Sequence, residues 1–290
     1  AVPYVYHWTN LLPLAMGAVG TAVGALSVVH AVRAGGAAHL ALFMWLILYF
    51  LQFGGLLAKS VRYVLPMVPI IAILSADLLV RIRLRRQLLG VLLIAVVVLP
   101  TAAAGISFGR IYTGTDSRLR AARWIERNVP SGSSVGVEGG GFPLHGLLNE
   151  SRIEKTWLDL PQIFYTSPYL LCGNRLDLLR QRLLRMDYLA VIDANRMAQY
   201  RAVPDLFPVV SGFYERLVDE RLGFELVKRY KASPGLFGLQ FDDSGSEPSF
   251  IGYDHPAVLI YRADRSKMDT ALETWRRELF DNDNCSDKLL

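Results

Sequence analysis

The chain has 290 residues, 52% of them hydrophobic and 20% charged, with a formal net charge of +5. This is too apolar for an average soluble enzyme and too polar for a pure membrane bundle. The positive excess lies largely in the first hundred or so residues, and no basic patch interleaved with stacking aromatics follows it, which excludes a nucleic-acid partner.

The average hides two solvents. Before Arg110 the only acidic residue is Asp77, whereas beyond it Asp, Glu, Lys and Arg are dense. No basic leader and no initiator Met precede Pro3, Tyr4, Tyr6, His7 and Trp8, so the chain is expected to be the C-terminal piece of something longer. Four apolar stretches, at about 11–32, 40–57, 63–80 and 88–107, are each long enough to cross a hydrocarbon core roughly 30 Å thick. Gly17, Gly20 and Gly24 give the first a small-residue face for close helix packing. Pro66 and Pro69 fall in the first turns of the third, where missing N–H groups cost least, and Asp77 nears its cytoplasmic end.

Arginines set the direction. Arg81, Arg83, Arg85 and Arg86 make the most basic connector, which the positive-inside rule puts in the cytoplasm. The fourth span then exits outward, and everything after Arg110 is extracytoplasmic. The expected architecture is a polytopic α-helical membrane domain (1–108) of four transmembrane helices, an extracytoplasmic mixed α/β domain (109–280) and a polar tail (281–290). The expected location is the plasma (inner) membrane. Under this topology Lys59 and Arg62 stand on the outer face, where basic residues are not favoured. With Tyr63 beside them, they pair with a lipid-linked phosphate or snorkel to anionic headgroups.

In the soluble half, Thr115 or Asp116 caps a helix with Leu119, Ala122, Trp124 and Ile125 on one face, and 134–138 reads as a strand after the Ser131-Gly132 turn. Amphipathic helices near 176–185 and 206–217, strands over 188–192, 224–230 and 257–261, and a closing helix over 268–280 point to a small Rossmann-like mixed sheet. Gly139-Gly140-Gly141 lacks the following Lys-Ser/Thr of a phosphate loop, and His145 beyond it is isolated. Asp254-His255 pairs a carboxylate with an imidazole, but neighbours on a strand point to opposite faces, so Asp254 is expected to fix the turn before Pro256 and His255 to pack or contact the membrane domain. Glu150, Glu154 and Asp159 show no metal-ligand pattern. Cys172 and Cys285 lack metal-site spacing, and the sequence leaves a disulfide between them open.

The run Lys59-Ser60-Val61-Arg62-Tyr63-Val64-Leu65-Pro66 resembles the "RY-x-LP" start of a late transmembrane helix in GT-C membrane glycosyltransferases, relatives of protein O-mannosyltransferases and of the lipid A aminoarabinose transferase. Tyr112-Thr113-Gly114 to Trp124-Ile125, and Val129-Pro130-Ser131-Gly132-Ser133, are similar to the segment after the last span in a bacterial branch of that group. Glu247-Pro248-Ser249-Phe250-Ile251-Gly252-Tyr253-Asp254-His255-Pro256 is similar to its C-terminal "E-x-SF-x-VYDHP" signature. The resemblance implies sugar transfer from a polyprenyl-phosphate carrier to an extracytoplasmic acceptor. It implies an acidic base in an early external loop, upstream of these residues, and a divalent metal in some members. No catalytic residue, metal ligand or cofactor is therefore assigned within this chain. Lys59, Arg62 and Tyr63 are carried over as contacts to the carrier phosphate, expected to face a cavity open to the outer leaflet. The alternative is a non-enzymatic, membrane-anchored extracytoplasmic binding or scaffold domain.

Overall fold

The structure, a computed structural model, describes residues 2–56, 60–138, 144–166, 171–192, 194–282 and 285. In chain order its elements begin with α1 (Leu12–Ala34), α2 (Ala37–Gly54), α3 (Met67–Arg85), α4 (Gln87–Gly109), α5 (Ser117–Asn128), β1 (Ser134–Glu138), α6 (Leu144–Leu147), β2 (Glu154–Leu158) and α7 (Cys172–Leu184). Then come β3 (Tyr188–Val191), α8 (Ala194–Arg201), α9 (Pro208–Val218), β4 (Phe224–Tyr230), β5 (Gly235–Leu236), β6 (Leu239–Gln240), α10 (Pro248–Asp254), β7 (Val258–Ala263) and α11 (Arg265–Asp281). They form two compact units, Ala1–Thr113 with Ser233–Ile251, and Gly114–Ala232 with Gly252–Leu290. The first unit thus takes back a segment from far down the chain, which a division at 108/109 does not contain.

Among the described residues, three helical runs are long and apolar enough to cross a bilayer: His7–Ala34, α2, and Gln87–Asn128, whose apolar part is α4. The first starts earlier than its sequence pattern suggests. Tyr4 donates its N–H to Gly54 O at 3.0 Å and its hydroxyl to Leu51 O at 3.2 Å, and a π-helical turn, His7–Leu11, leads into α1. The helix expected over 63–80 begins instead at Met67, with Pro66 at its N-cap, after a 3₁₀ turn at Val61–Tyr63, and it runs on to Arg85. Asp77, Arg81, Arg83 and Arg85 lie within its 19 residues, so α3 does not stand out by apolar composition as the other three do.

α3 nonetheless buries Met67, Ile71, Leu74, Ser75 and Leu79. The small-residue face of α1 receives it: a Cβ on Gly24 would lie 2.5 Å from Ile71 Cγ2, and Ser75 Oγ donates to Ser27 Oγ at 3.3 Å. Gly17 does not join that face, because its φ of +75° breaks α1. Asp77 is tolerated because three helices bring cations or imidazoles to one oxygen. Arg81 Nε is 2.8 Å from its Oδ2, His39 Nε2 of α2 3.1 Å and His30 Nε2 of α1 3.6 Å.

The second unit is a five-stranded mixed sheet in the order β2-β1-β3-β7-β4, with β2, β1 and β3 parallel and β7 antiparallel to both β3 and β4. Residues alternate between its faces with the period of two that strands impose. Leu189, Val191, Leu259 and Tyr261 join the core of α7, α9 and α11, while Ala190, Val258 and Ile260 join that of α5 and α6. Asp116 caps α5, accepting from the Arg118 N–H at 2.7 Å. Cys172, which opens α7, is bonded to Cys285, the two Cα atoms 5.6 Å apart.

The sequence does not announce β2, because Glu154-Lys155-Thr156-Trp157 is mostly polar and sits at an edge of the sheet. Asp254-His255 is not on a strand. Asp254 ends α10, and His255 lies buried in the bend before Pro256, whose carbonyl accepts from Ser117 Oγ at 2.6 Å.

Candidate functional site

Of the three residues expected at the carrier site, Lys59 lies outside the described residues. Arg62 and Tyr63 lie together in the 3₁₀ turn at the head of α3. Pro66 supplies the reason for the turn: it disfavours helical geometry at Leu65, so the chain enters α3 through a tighter wind. Arg62 is exposed, and its guanidinium stands over the Tyr63 ring, 5.5 Å from the centroid.

Tyr63 is the last of a row of stacked rings. Trp45, Tyr49 and Phe53 follow one another at intervals of four along α2 and so share a face. Their centroids are 5.1 and 4.4 Å apart, and Phe53 stands 6.0 Å from Tyr63. The row therefore runs along a membrane-length helix and ends beneath a cation.

The C-terminal signature reaches the same turn. Glu247 is buried, and its Oε2 accepts from the Val61 N–H at 3.3 Å, joining two motifs 186 residues apart. Glu247 also walls a cavity of about 280 Å³, together with Tyr6, Thr9, Asn10, Leu14, Asp242, Gly245 and Ser246. Burial, and then the charge of Glu247, raise the Tyr6 phenol above its ordinary value. The lining offers hydroxyls, an amide and two carboxylates, which suits a neutral polyol better than an anion. Arg62 is not among the residues lining this cavity.

The second unit holds a polar cluster that the sequence reading passed over. From β1 the chain goes to β2 on one side of it and then crosses to β3 on the other, so the carboxyl ends of β1 and β3 meet at a topological switch point, the usual ligand crevice of such sheets. Glu138 is the last residue of β1, 1% exposed, and accepts a hydrogen bond from the Tyr214 hydroxyl of α9. Arg196 of α8 approaches Asp159 Oδ1 at 3.4 Å, directly after β2, and lies 5.9 Å from the Tyr200 ring. A carboxylate ending an otherwise apolar strand was the one available signal. Asp159, read as a scattered acid, belongs to this cluster, whereas Glu150 pairs with Lys155 at 2.6 Å. The Gly139-Gly140-Gly141 loop and the His145 side chain lie outside the described residues. Among the described residues no group of three or more His, Cys, Asp or Glu side chains is placed to hold a metal ion.

The chain matches no protein-family model, no curated protein and no solved structure.

Burial and the neighbouring Glu138 charge push the Tyr214 phenol well above its ordinary value, and burial pushes Tyr261 up to about 12. Below pH 10 both rings are neutral, folded or unfolded, and folding carries no penalty from them. Above it the unfolded chain loses these protons first, so stability is expected to fall by about 1.4 kcal/mol per pH unit for each ring between pH 10 and its folded pKa. Thermal melts from pH 9 to 12 measure this, and Tyr261→Phe should flatten the decline. A flat profile for the unsubstituted chain would count against both buried phenols.

Proposed function

We propose that this chain is the C-terminal part of an integral-membrane glycosyltransferase that transfers a sugar from a polyprenyl-phosphate carrier to an acceptor outside the cytoplasm. The observation that carries the reading is the aromatic row Trp45-Tyr49-Phe53-Tyr63 ending at Arg62. A polyprenyl phosphate has a long apolar tail and an anionic head. The row offers ring faces to the first and a guanidinium to the second. The bond from the Val61 N–H to Glu247 supports it further, since it holds the turn that presents Arg62.

In this reading α1 to α4 all span the bilayer, α3 being shielded by its neighbours and its acid neutralised by His30, His39 and Arg81. The Arg81–Arg86 connector faces the cytoplasm and the second unit lies outside, in the inner membrane's oxidising exterior. The Cys172–Cys285 bond suits that compartment. An acceptor hydroxyl attacks the anomeric carbon, the carbon–oxygen bond to phosphate breaks, and polyprenyl phosphate leaves. Arg62, with Lys59 and Tyr63 in its segment, stabilises the charge gathering on the departing phosphate. The base that takes the acceptor's proton, and any divalent metal, belong to a loop of the enzyme outside these residues.

Arg62→Ala in the full-length enzyme is expected to lower kcat/KM for the carrier about 10- to 100-fold, the equivalent of roughly 1.5–3 kcal/mol for a charged hydrogen-bonded contact. Arg62→Lys should recover part of it. Unchanged transfer kinetics would remove the assignment. The competing reading is a membrane-anchored binding or scaffold domain without catalysis, and the same kinetics decide between them.

A further inference from the structure

The strands β5 and β6 pair Gly235 with Gln240 and Leu236 with Leu239, leaving Phe237 and Gly238 as a two-residue turn. Both carry positive φ, +52° and +85°. Type I′ two-residue hairpins require this, and sequences meet the requirement with Asn-Gly or Gly-Gly, because a bulky side chain in the left-handed region is strained. Phe237 accepts that strain with its side chain 89% exposed, so no packing within the chain offsets it. Leu239 at 67% and Phe241 at 50% extend the apolar surface along the same hairpin. A strained backbone carrying an uncovered ring points to contact with something outside the chain.

The hairpin's position says what that is. β5 packs against α4 and against the turn Arg110–Thr113 that follows it. α4 is one of the membrane-length apolar helices and exposes Leu99 and Ile106. At its Gly109 end, Arg110 and Tyr112 are exposed, the residue types that sit at a lipid–water boundary. An apolar tip in water beside such a boundary gains by entering it.

We propose that the β5–β6 hairpin is a lipid-dipping anchor, with Phe237, Leu239 and Phe241 inserted among acyl chains at the Gly109 end of α4. The partner is the bilayer itself, recognised by its apolarity and not by a headgroup. The anchor holds the returning segment Ser233–Ile251, and with it Glu247, at the membrane surface. It rests on the reading of α4 as a span.

The test places the full chain in nanodiscs of phosphatidylcholine and phosphatidylglycerol. Because both native cysteines are bonded to each other, single cysteines can be labelled with an environment-sensitive fluorophore at Phe237→Cys, at Leu99→Cys on α4, and at the exposed Gln199→Cys of α8 as a water reference. Nitroxide-bearing lipids are expected to quench the Phe237 probe as fully as the Leu99 probe, with a blue-shifted emission, and to leave the Gln199 probe bright. A quenched Leu99 probe beside a Phe237 probe as bright as the Gln199 reference overturns the anchor while leaving the span intact. An unquenched Leu99 probe overturns the span, and the anchor with it. Phe237→Gly relieves the strain, so its melting temperature in detergent should not fall. A marked drop would mean that the ring serves folding and not lipid.

Discussion

Cys285→Ser is expected to destabilise the second unit by about 3–5 kcal/mol, the largest loss of stability from any single replacement of a small side chain here. The two cysteines are 113 positions apart, and between them lie β3, β4 and β7, α8, α9 and α11. Cross-linking so long a loop removes many conformations from the unfolded ensemble, and the cost of closing it grows only slowly beyond that length. The bond also anchors the start of α7 to the chain beyond α11, two helices that share one core with α9. Cys285 is buried, so a mild reductant reaches it poorly and substitution is the cleaner test. Denaturant unfolding of the detergent-solubilised chain, followed by tryptophan fluorescence, measures the effect. A Cys285→Ser variant with the original midpoint would show that the bond contributes nothing to stability.

Removing the carboxylate at the end of β1 comes second. Glu138→Ala is expected to cost about 3–5 kcal/mol, because it strips Arg196 of its most influential nearby acid and leaves the Tyr214 hydroxyl buried without its acceptor. Tyr214→Phe should cost about 1.5–3 kcal/mol, the range for a hydrogen bond to a charged group. The two changes share one interaction, so the double variant should be less destabilised than the sum of the singles. Chemical unfolding of all three variants tests this. A Tyr214→Phe variant indistinguishable from the parent, or strict additivity, would mean that Glu138 and Tyr214 do not interact.

Several features were readable in advance, and for identifiable reasons. The split between an apolar and a charge-rich half was plain because Asp77 is the only acid before Asp116. Strands such as 188–191 and, over 258–261, β7 were visible because both of their faces are largely buried, giving continuous apolar runs. The Asp116 cap was legible because it is local chemistry.

The misses have separate physical causes. β2 was hidden because an edge strand needs fewer apolar residues. The β5–β6 turn was hidden because Phe-Gly stands where Asn-Gly is the recognisable pair. The short helix before Pro256 was hidden because nothing in Phe250-Ile251-Gly252-Tyr253 announces it. α3 starts later than the apolar run because Pro66 disfavours helical geometry at Leu65 and is placed at the N-cap, which leaves Pro69 in the first turn.

The candidate site divides along the same line. Composition and charge order, which need no contacts, were enough to locate the apolar helices and to single out Arg62 and Tyr63 as an unusual cation and ring at the head of one of them. The pairing of Glu247 with the Val61 N–H, the ring row from Trp45 to Tyr63, the Asp77 cluster, and the meeting of Glu138, Tyr214, Arg196 and Asp159 all join residues from different elements. One chain alone carries no trace of such pairs, because a side chain's type states what it can bond and not which partner the fold will bring within 3 Å. Local propensity and solvent preference are properties of a segment. Proximity belongs to the packed chain.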